Sequence, residues 1–262
     1  MDWMIGGAVV LGLGAVAPLA AGGWRWWLPA AACGGVACGL GPGLLAGALA
    51  VPALLAALVA VREAPPLDGA RLLAALWAVV ATGALCCSCL GWSVLGQQEP
   101  IVRLTAVHFL FAGVGALTLA AASGSTLALR CTAAAPPVVA FGFVTGWAAP
   151  QVGGALVLCL GVFATAAAQL RQAAAPGPVP RRLLLLVSGL AVWAPMVLAV
   201  AWAAGQHWDV AALSIPAMVR WHGAPNAVLF VLCGLLAQRF PGTDPRDARV
   251  SARRTDAIRT VG

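Results

Sequence analysis

The chain contains no lysine and no tyrosine, and it is poor in charge of either sign. Acidic side chains number 8 and basic ones 15, all of them arginine; together they are only 9% of the 262 residues. A soluble domain carries roughly 25% charged and about 45–50% apolar residues, whereas here 62% are hydrophobic. Water is not the solvent for most of this chain, which excludes a soluble enzyme and a disordered protein. The formal charge of +7 would suit a nucleic-acid binder. Thirteen of its 15 arginines, however, fall between apolar segments or in the C-terminal tail, and Arg103 and Arg220 lie inside segments, so no nucleic-acid partner is expected. Histidine is scarce, with 3 copies, whereas tryptophan occurs 11 times.

The start, Met1-Asp2-Trp3, has an acid where a cleaved signal peptide has a basic region. Residues 4–22 therefore read as a retained membrane helix. Crossing a bilayer takes about 20 mostly apolar residues. Stretches of that kind cover 4–22, 27–40, 43–61, 71–94, 101–122, 132–148, 151–170, 183–204 and 213–236. The second and third are separated only by Gly41-Pro42-Gly43. Gly35, Gly39, Gly43 and Gly47 recur every fourth residue there, a small-residue stripe suited to close helix packing. The stripe leaves open whether 28–61 is a hairpin or one kinked helix. The eight cysteines all lie in apolar stretches and read as small packing residues, the Cys86-Cys87-Ser88-Cys89 cluster included.

The arginines set the topology. Short loops rich in arginine stay cytoplasmic. With nine crossings and the N-terminus outside, the inner loops hold Arg25, Arg62, Arg71, Arg130, Arg171, Arg181 and Arg182, and the outer loops hold none. Asp2, Glu99 and Asp209 fall outside. The expected fold is thus an all-α polytopic bundle of about eight or nine transmembrane segments over residues 1–240, in the inner membrane of a bacterial cell. Residues 241–262 are polar and arginine-rich and read as a disordered cytoplasmic tail beside anionic headgroups.

Polar groups inside a membrane segment are costly and mark candidate sites. Glu99 opens the fifth segment, with Arg103 four residues on and able to pair with it. His108 lies two to three turns deeper. In the last segment His222 and Asn226 share a face, Met218 extends that stripe, and Arg220 points the other way. The preceding loop adds His207 and Asp209. All of these occupy the outer half of the membrane in this topology, level with Trp92, Trp147, Trp202, Trp208 and Trp221. Each has a plain alternative: a helix-end tryptophan anchors at the interface, a membrane histidine bridges helices, and Glu99 with Arg103 is a structural ion pair. Their coincidence in one layer points to a pocket.

The stretch Leu104-Thr105-Ala106-Val107-His108-Phe109, continuing at Phe111-Ala112-Gly113, resembles the YndJ-like integral membrane proteins of bacteria. So does the later set Met218, His222-Gly223, Asn226-Ala227 and Phe230. Leu110 departs from the pattern, since a polar residue or second histidine is expected after His-Phe; this argues against a paired-histidine metal site. The resemblance extends to membrane proteins of bacterial terpenoid pathways, which cyclise farnesyl groups on indole or cyclic-dipeptide scaffolds. It implies an apolar prenylated substrate, membrane lipid as the surroundings and a pathway prenyltransferase as a neighbour.

On that implication the protein is a membrane terpene cyclase. Glu99 or Asp209 would donate the proton. His108 or His222 would take the last one. Trp92, Trp147, Trp202, Trp208, Trp221, Phe109 and Phe111 would shield the cation, because aromatic faces attract positive charge. Arg103, Arg220, Asn226 and Met218 would bind or orient the substrate. No metal or other cofactor is expected, and no Asp-rich motif is present to hold Mg²⁺ for diphosphate loss. Arg103 beside Glu99 would favour its ionised form, which opposes the acid role and favours Asp209. Three alternatives remain open: a proton-coupled transporter, a His/carboxylate metalloenzyme, and a structural or sensory subunit.

Overall fold

The computed structural model describes residues 2–21, 24–64, 68–211 and 213–240. Among these, nine helical segments follow one another: α1 Trp3–Ala20, α2 Trp24–Gly39, α3 Leu44–Glu63, α4 Gly69–Leu90, α5 Ile101–Ala122, α6 Thr126–Thr145, α7 Ala148–Ala174, α8 Val179–Gly205 and α9 Ile215–Ala237. All but α2 are long and apolar enough to cross a bilayer. The side chains that face outward make the same point: Leu44 is 85% exposed and Leu190 62%. Such apolar surface is tolerated in lipid and not in water. The protein is a multi-pass membrane protein. The expected tail over 241–262 lies outside the described residues.

The nine apolar stretches therefore become nine helices, with ends set by local capping. The sixth begins at Thr126, six residues before its apolar run. Ser125 caps it by accepting a hydrogen bond from the Ala128 amide at 3.2 Å. It stops at Thr145 because Gly146 turns left-handed, with φ of 70°. In the same way Gly91, at φ 74°, ends α4 at Leu90 rather than 94. At the other end of α4, Asp68 accepts from the Arg71 amide at 3.1 Å.

Residues 28–61 form a hairpin. The chain breaks between Gly39 and Leu44, and α2 and α3 pack side by side. The Gly43 amide donates to the Cys89 carbonyl at 2.9 Å, which holds the turn on the end of α4. The glycine stripe does not act as one face. Gly35 makes room for Val10 of α1, Gly47 makes room for Leu90 of α4, and Gly39 and Gly43 face open space.

The interior is built from small residues. Ala46, Ala50, Ala53 and Ala57 of α3 and Ala74, Ala78 and Ala81 of α4 are buried, which lets helices approach closely where lipid supplies no hydrophobic drive. Short connections thread neighbours antiparallel. One end of the bundle, the near end, carries the connections 91–100, 146–147 and 206–214. The far end carries the other described arginines besides Arg103 and Arg220, and there Arg239 Nη2 donates to the Leu19 carbonyl at 2.9 Å, tying the end of α9 to α1.

Three helices are not regular. π-type turns run over Gly12–Val16 in α1, Phe109–Ala116 in α5, and Val219–Gly223 and Pro225–Leu232 in α9. Such turns are rare overall and frequently sit at functional sites. In α9 the cause is legible: Pro225 has no amide hydrogen, so the regular hydrogen-bond ladder fails there. In α1 and α5 a close fit accompanies them. A Cβ on Gly12 would lie 2.8 Å from Leu110 Cδ1.

Candidate functional site

A cavity of about 670 Å³ opens between α1, α4, α5, α6, α7, α8 and α9. This is within the range of small-molecule sites, about 300–1,000 Å³. Along α5 its wall runs from Ile101 to Ala116, roughly 20 Å of helix. Gln97, Thr105 and Gln151 line the near end, His108, His222 and Asn226 the middle, and Ala116, Leu158, Val162, Phe230 and Val231 the floor. The wall residues among those described include no carboxylate and no arginine.

The two π-distorted helices supply the middle layer. α5 carries His108 immediately before its π turns, and α9 carries His222 within them. His222 Nδ1 lies 2.7 Å from the Pro195 carbonyl oxygen. A carbonyl only accepts, so Nδ1 carries the hydrogen and Nε2 keeps its lone pair. Asn226 sits one turn on. Its Nδ2 is 3.3 Å from His222 Nδ1 and 3.8 Å from Met196 Sδ. Its Oδ1 is buried without a partner among the described residues. His108 is open to the cavity and edges onto Phe109 at 5.8 Å between ring centres. Neither ring nitrogen has a hydrogen-bond partner among the described residues.

Aromatic faces complete the wall. Trp77 stacks on Phe109 with ring centres 4.8 Å apart, and Trp202 stacks on Phe143 at 6.1 Å. Gly113 allows the first contact, since a Cβ there would come within 2.8 Å of Trp77 Cβ.

Of the candidate residues, the cavity brings together His108, His222, Asn226, Met218, Phe109, Phe111 and Trp202. The remaining ones lie elsewhere. Arg103 Nε is 3.9 Å from Glu99 Oε2, as the spacing suggested, but it also donates to Ser88 Oγ at 3.0 Å. That turns the pair toward α4 and away from the cavity wall. Asp209 is exposed in the 206–214 connection, and Arg220 is exposed on α9. Trp92, Trp147, Trp208 and Trp221 are all exposed and outside the cavity. The first three sit at helix ends, where they suit an interfacial belt. Leu110 is buried against Gly12 and does not line the cavity, so a polar residue there would not face it.

Trp77 and Gln151 are among the cavity residues that the sequence reading did not single out. Trp77 lies mid-segment, where a tryptophan is no interfacial anchor, and that position was the available signal. Gln151 is buried and lies 2.8 Å, through Oε1, from His207 Nε2. In the sequence it stands at the first position of the 151–170 run, where a polar residue reads as a helix end; the helix in fact begins a turn earlier, at Ala148. No three of His, Cys, Asp and Glu gather as a metal-ligand group among the described residues. Two imidazoles alone do not complete the three or four ligands a zinc or iron site needs.

A family model described as YndJ-like protein matches residues 9–230. No curated protein and no solved structure matches the chain.

Proposed function

The chain belongs to the YndJ-like family, and we propose that it is a membrane-embedded enzyme that cyclises a prenyl chain carried on an acceptor scaffold. The observation that carries this reading is an apolar, aromatic-walled cavity lined by His108 and His222, with no carboxylate among the described residues of its wall. An apolar floor accepts a hydrocarbon chain. Trp77, Trp202, Phe109 and Phe230 offer aromatic faces to a travelling positive charge. Burial away from water keeps the cation from being quenched.

The reaction moves one proton in and one out. His108 takes up a proton only in passing and gives it to the substrate, since no carboxylate among the described wall residues would hold it charged. New carbon–carbon bonds form as the cation moves along the chain. His222 Nε2, left unprotonated by the Pro195 hydrogen bond, takes the last proton. The product is an isomer of the substrate. An imidazolium is a far weaker acid than alkene protonation needs, so the starting group is an epoxide. Protonation of its oxygen breaks a carbon–oxygen bond, and the product carries a hydroxyl. The arginine-rich far end faces the cytoplasm of a bacterial cell, and a prenyltransferase supplies the substrate.

The test incubates membranes bearing the protein with farnesylated indole and cyclic-dipeptide acceptors, with and without a terminal epoxide. The expected result is a ring isomer of unchanged mass from the epoxide. In heavy water this product gains no deuterium on carbon, whereas an alkene-initiated product gains one. No isomer from any acceptor sinks the reading.

A further inference from the structure

Gln151 is 3% exposed, yet it lines the cavity at the near end, one turn inside α7. Two neighbours fix it. Gly142 of α6 meets it backbone to backbone, where a Cβ would lie 2.6 Å from Gln151 Cα. His207, in the connection after α8, lies 2.8 Å from Gln151 Oε1. An amide oxygen only accepts, so His207 Nε2–H donates. That uses Oε1 and orients the amide. Gln151 Nε2 then presents two N–H donors with no acceptor among the described residues.

Gln151 Nε2 reaches the cavity with no acceptor among the described residues, so it favours ligands that bring an acceptor over those that do not. No charged side chain among the described residues lines the cavity beside it, which favours a neutral acceptor over a carboxylate or phosphate. We propose that Gln151, oriented by His207, is a head-group subsite for a neutral carbonyl, such as an amide or lactam, on the substrate's polar end. This rests on the reading of the cavity as the chamber for a chain on an acceptor scaffold. His108 and His222 lie about two turns deeper than the start of their helices. A carbonyl held at Gln151 therefore leaves the prenyl chain to run past both histidines to the apolar floor. Gln151 touches the substrate; His207 is a positioning residue.

The experiment uses the full-length protein in lipid nanodiscs. Quenching of tryptophan fluorescence reads binding of two probes, farnesyl acetamide and a hydrocarbon analogue of the same shape. The wild-type protein prefers the amide by about tenfold. Gln151→Leu abolishes that preference by weakening the amide alone. His207→Phe leaves Gln151 packed on Gly142 but releases its amide, and reduces the preference to about threefold. Absence of binding, no preference in the wild type, or an undiminished preference in Gln151→Leu overturns the subsite. The same quantity separates the two proposals. A preference without any ring isomer leaves the subsite and removes the cyclase; an isomer without the preference does the reverse.

Discussion

His222 donates from Nδ1 to the carbonyl oxygen of Pro195, 2.7 Å away on the neighbouring helix. That single bond fixes the tautomer, because an imidazole with its hydrogen on Nδ1 keeps a lone pair on Nε2. His222→Gln removes the proton acceptor and leaves a residue able to hydrogen-bond. Ring-product formation is expected to fall by about 10²–10⁴-fold, the range for a general acid or base. Probe binding stays within about threefold of wild type. Single-turnover product analysis with parallel fluorescence titration checks both numbers, and an unchanged rate removes His222 from the chemistry.

His108 differs in having no hydrogen-bond partner for its ring nitrogens among the described residues, so its substitution breaks no described hydrogen bond. His108→Phe is expected to keep its thermal transition within a few degrees of wild type and to lose turnover. A loss of folding without a separate loss of activity in the folded fraction would mark His108 as a packing residue. Size-exclusion profiles and heating curves in detergent separate the two.

The acids provide the opposite expectation. Glu99 pairs loosely with Arg103 at 3.9 Å, and its side chain is 37% exposed; Asp209 is exposed outright. Partly exposed pairs contribute no more than about 1 kcal/mol. Glu99→Gln and Asp209→Asn are expected to retain turnover within about threefold of wild type. A hundredfold loss in either would return the proton donor to a carboxylate and overturn the histidine assignment.

These two acids show where the sequence ran out. Hydropathy locates a residue by depth: nine apolar runs became nine helices, with Glu99 and Arg103 at the near end and His108, His222 and Asn226 in the middle of the cavity. Depth does not say which way a side chain points around its helix. Ser88 of α4 draws Arg103, and with it Glu99, off the cavity wall, and nothing near residue 103 in the sequence announces that partner. Gln151 was hidden for the converse reason: its meaning depends on His207, 56 residues away. Helix ends were misplaced where a cap such as Ser125 extended a helix past its apolar run.

Gly234 tests the packing of α9. A Cβ there would lie 2.8 Å from Gln169 Nε2 and 2.9 Å from Ser188 Oγ. Ser188 Oγ in turn donates to the Phe230 carbonyl at 2.6 Å. Gly234→Val drives a branched side chain into this buried polar contact between α7, α8 and α9. Overpacking of this kind costs typically 1–3 kcal/mol. The variant is expected to lower the thermal transition while the folded fraction keeps its amide preference. A transition at the wild-type temperature would mean that α9 shifts to accommodate the change.

Two tryptophans at the same end of the bundle should behave differently. Trp202 lines the cavity and stacks on Phe143, whereas Trp147 is 63% exposed outside it. An aromatic face near a developing cation contributes about 0.5–2 kcal/mol, so Trp202→Leu is expected to slow cyclisation by about three- to thirtyfold and to let water intercept the cation. Early-quenched alcohols would then accompany the ring product. Trp147→Leu removes only an interfacial anchor and leaves the product profile unchanged, though less protein inserts into the membrane. Chromatographic product ratios, normalised to inserted protein, decide the matter. Equal profiles for the two variants would mean that the aromatic wall does not meet the cation.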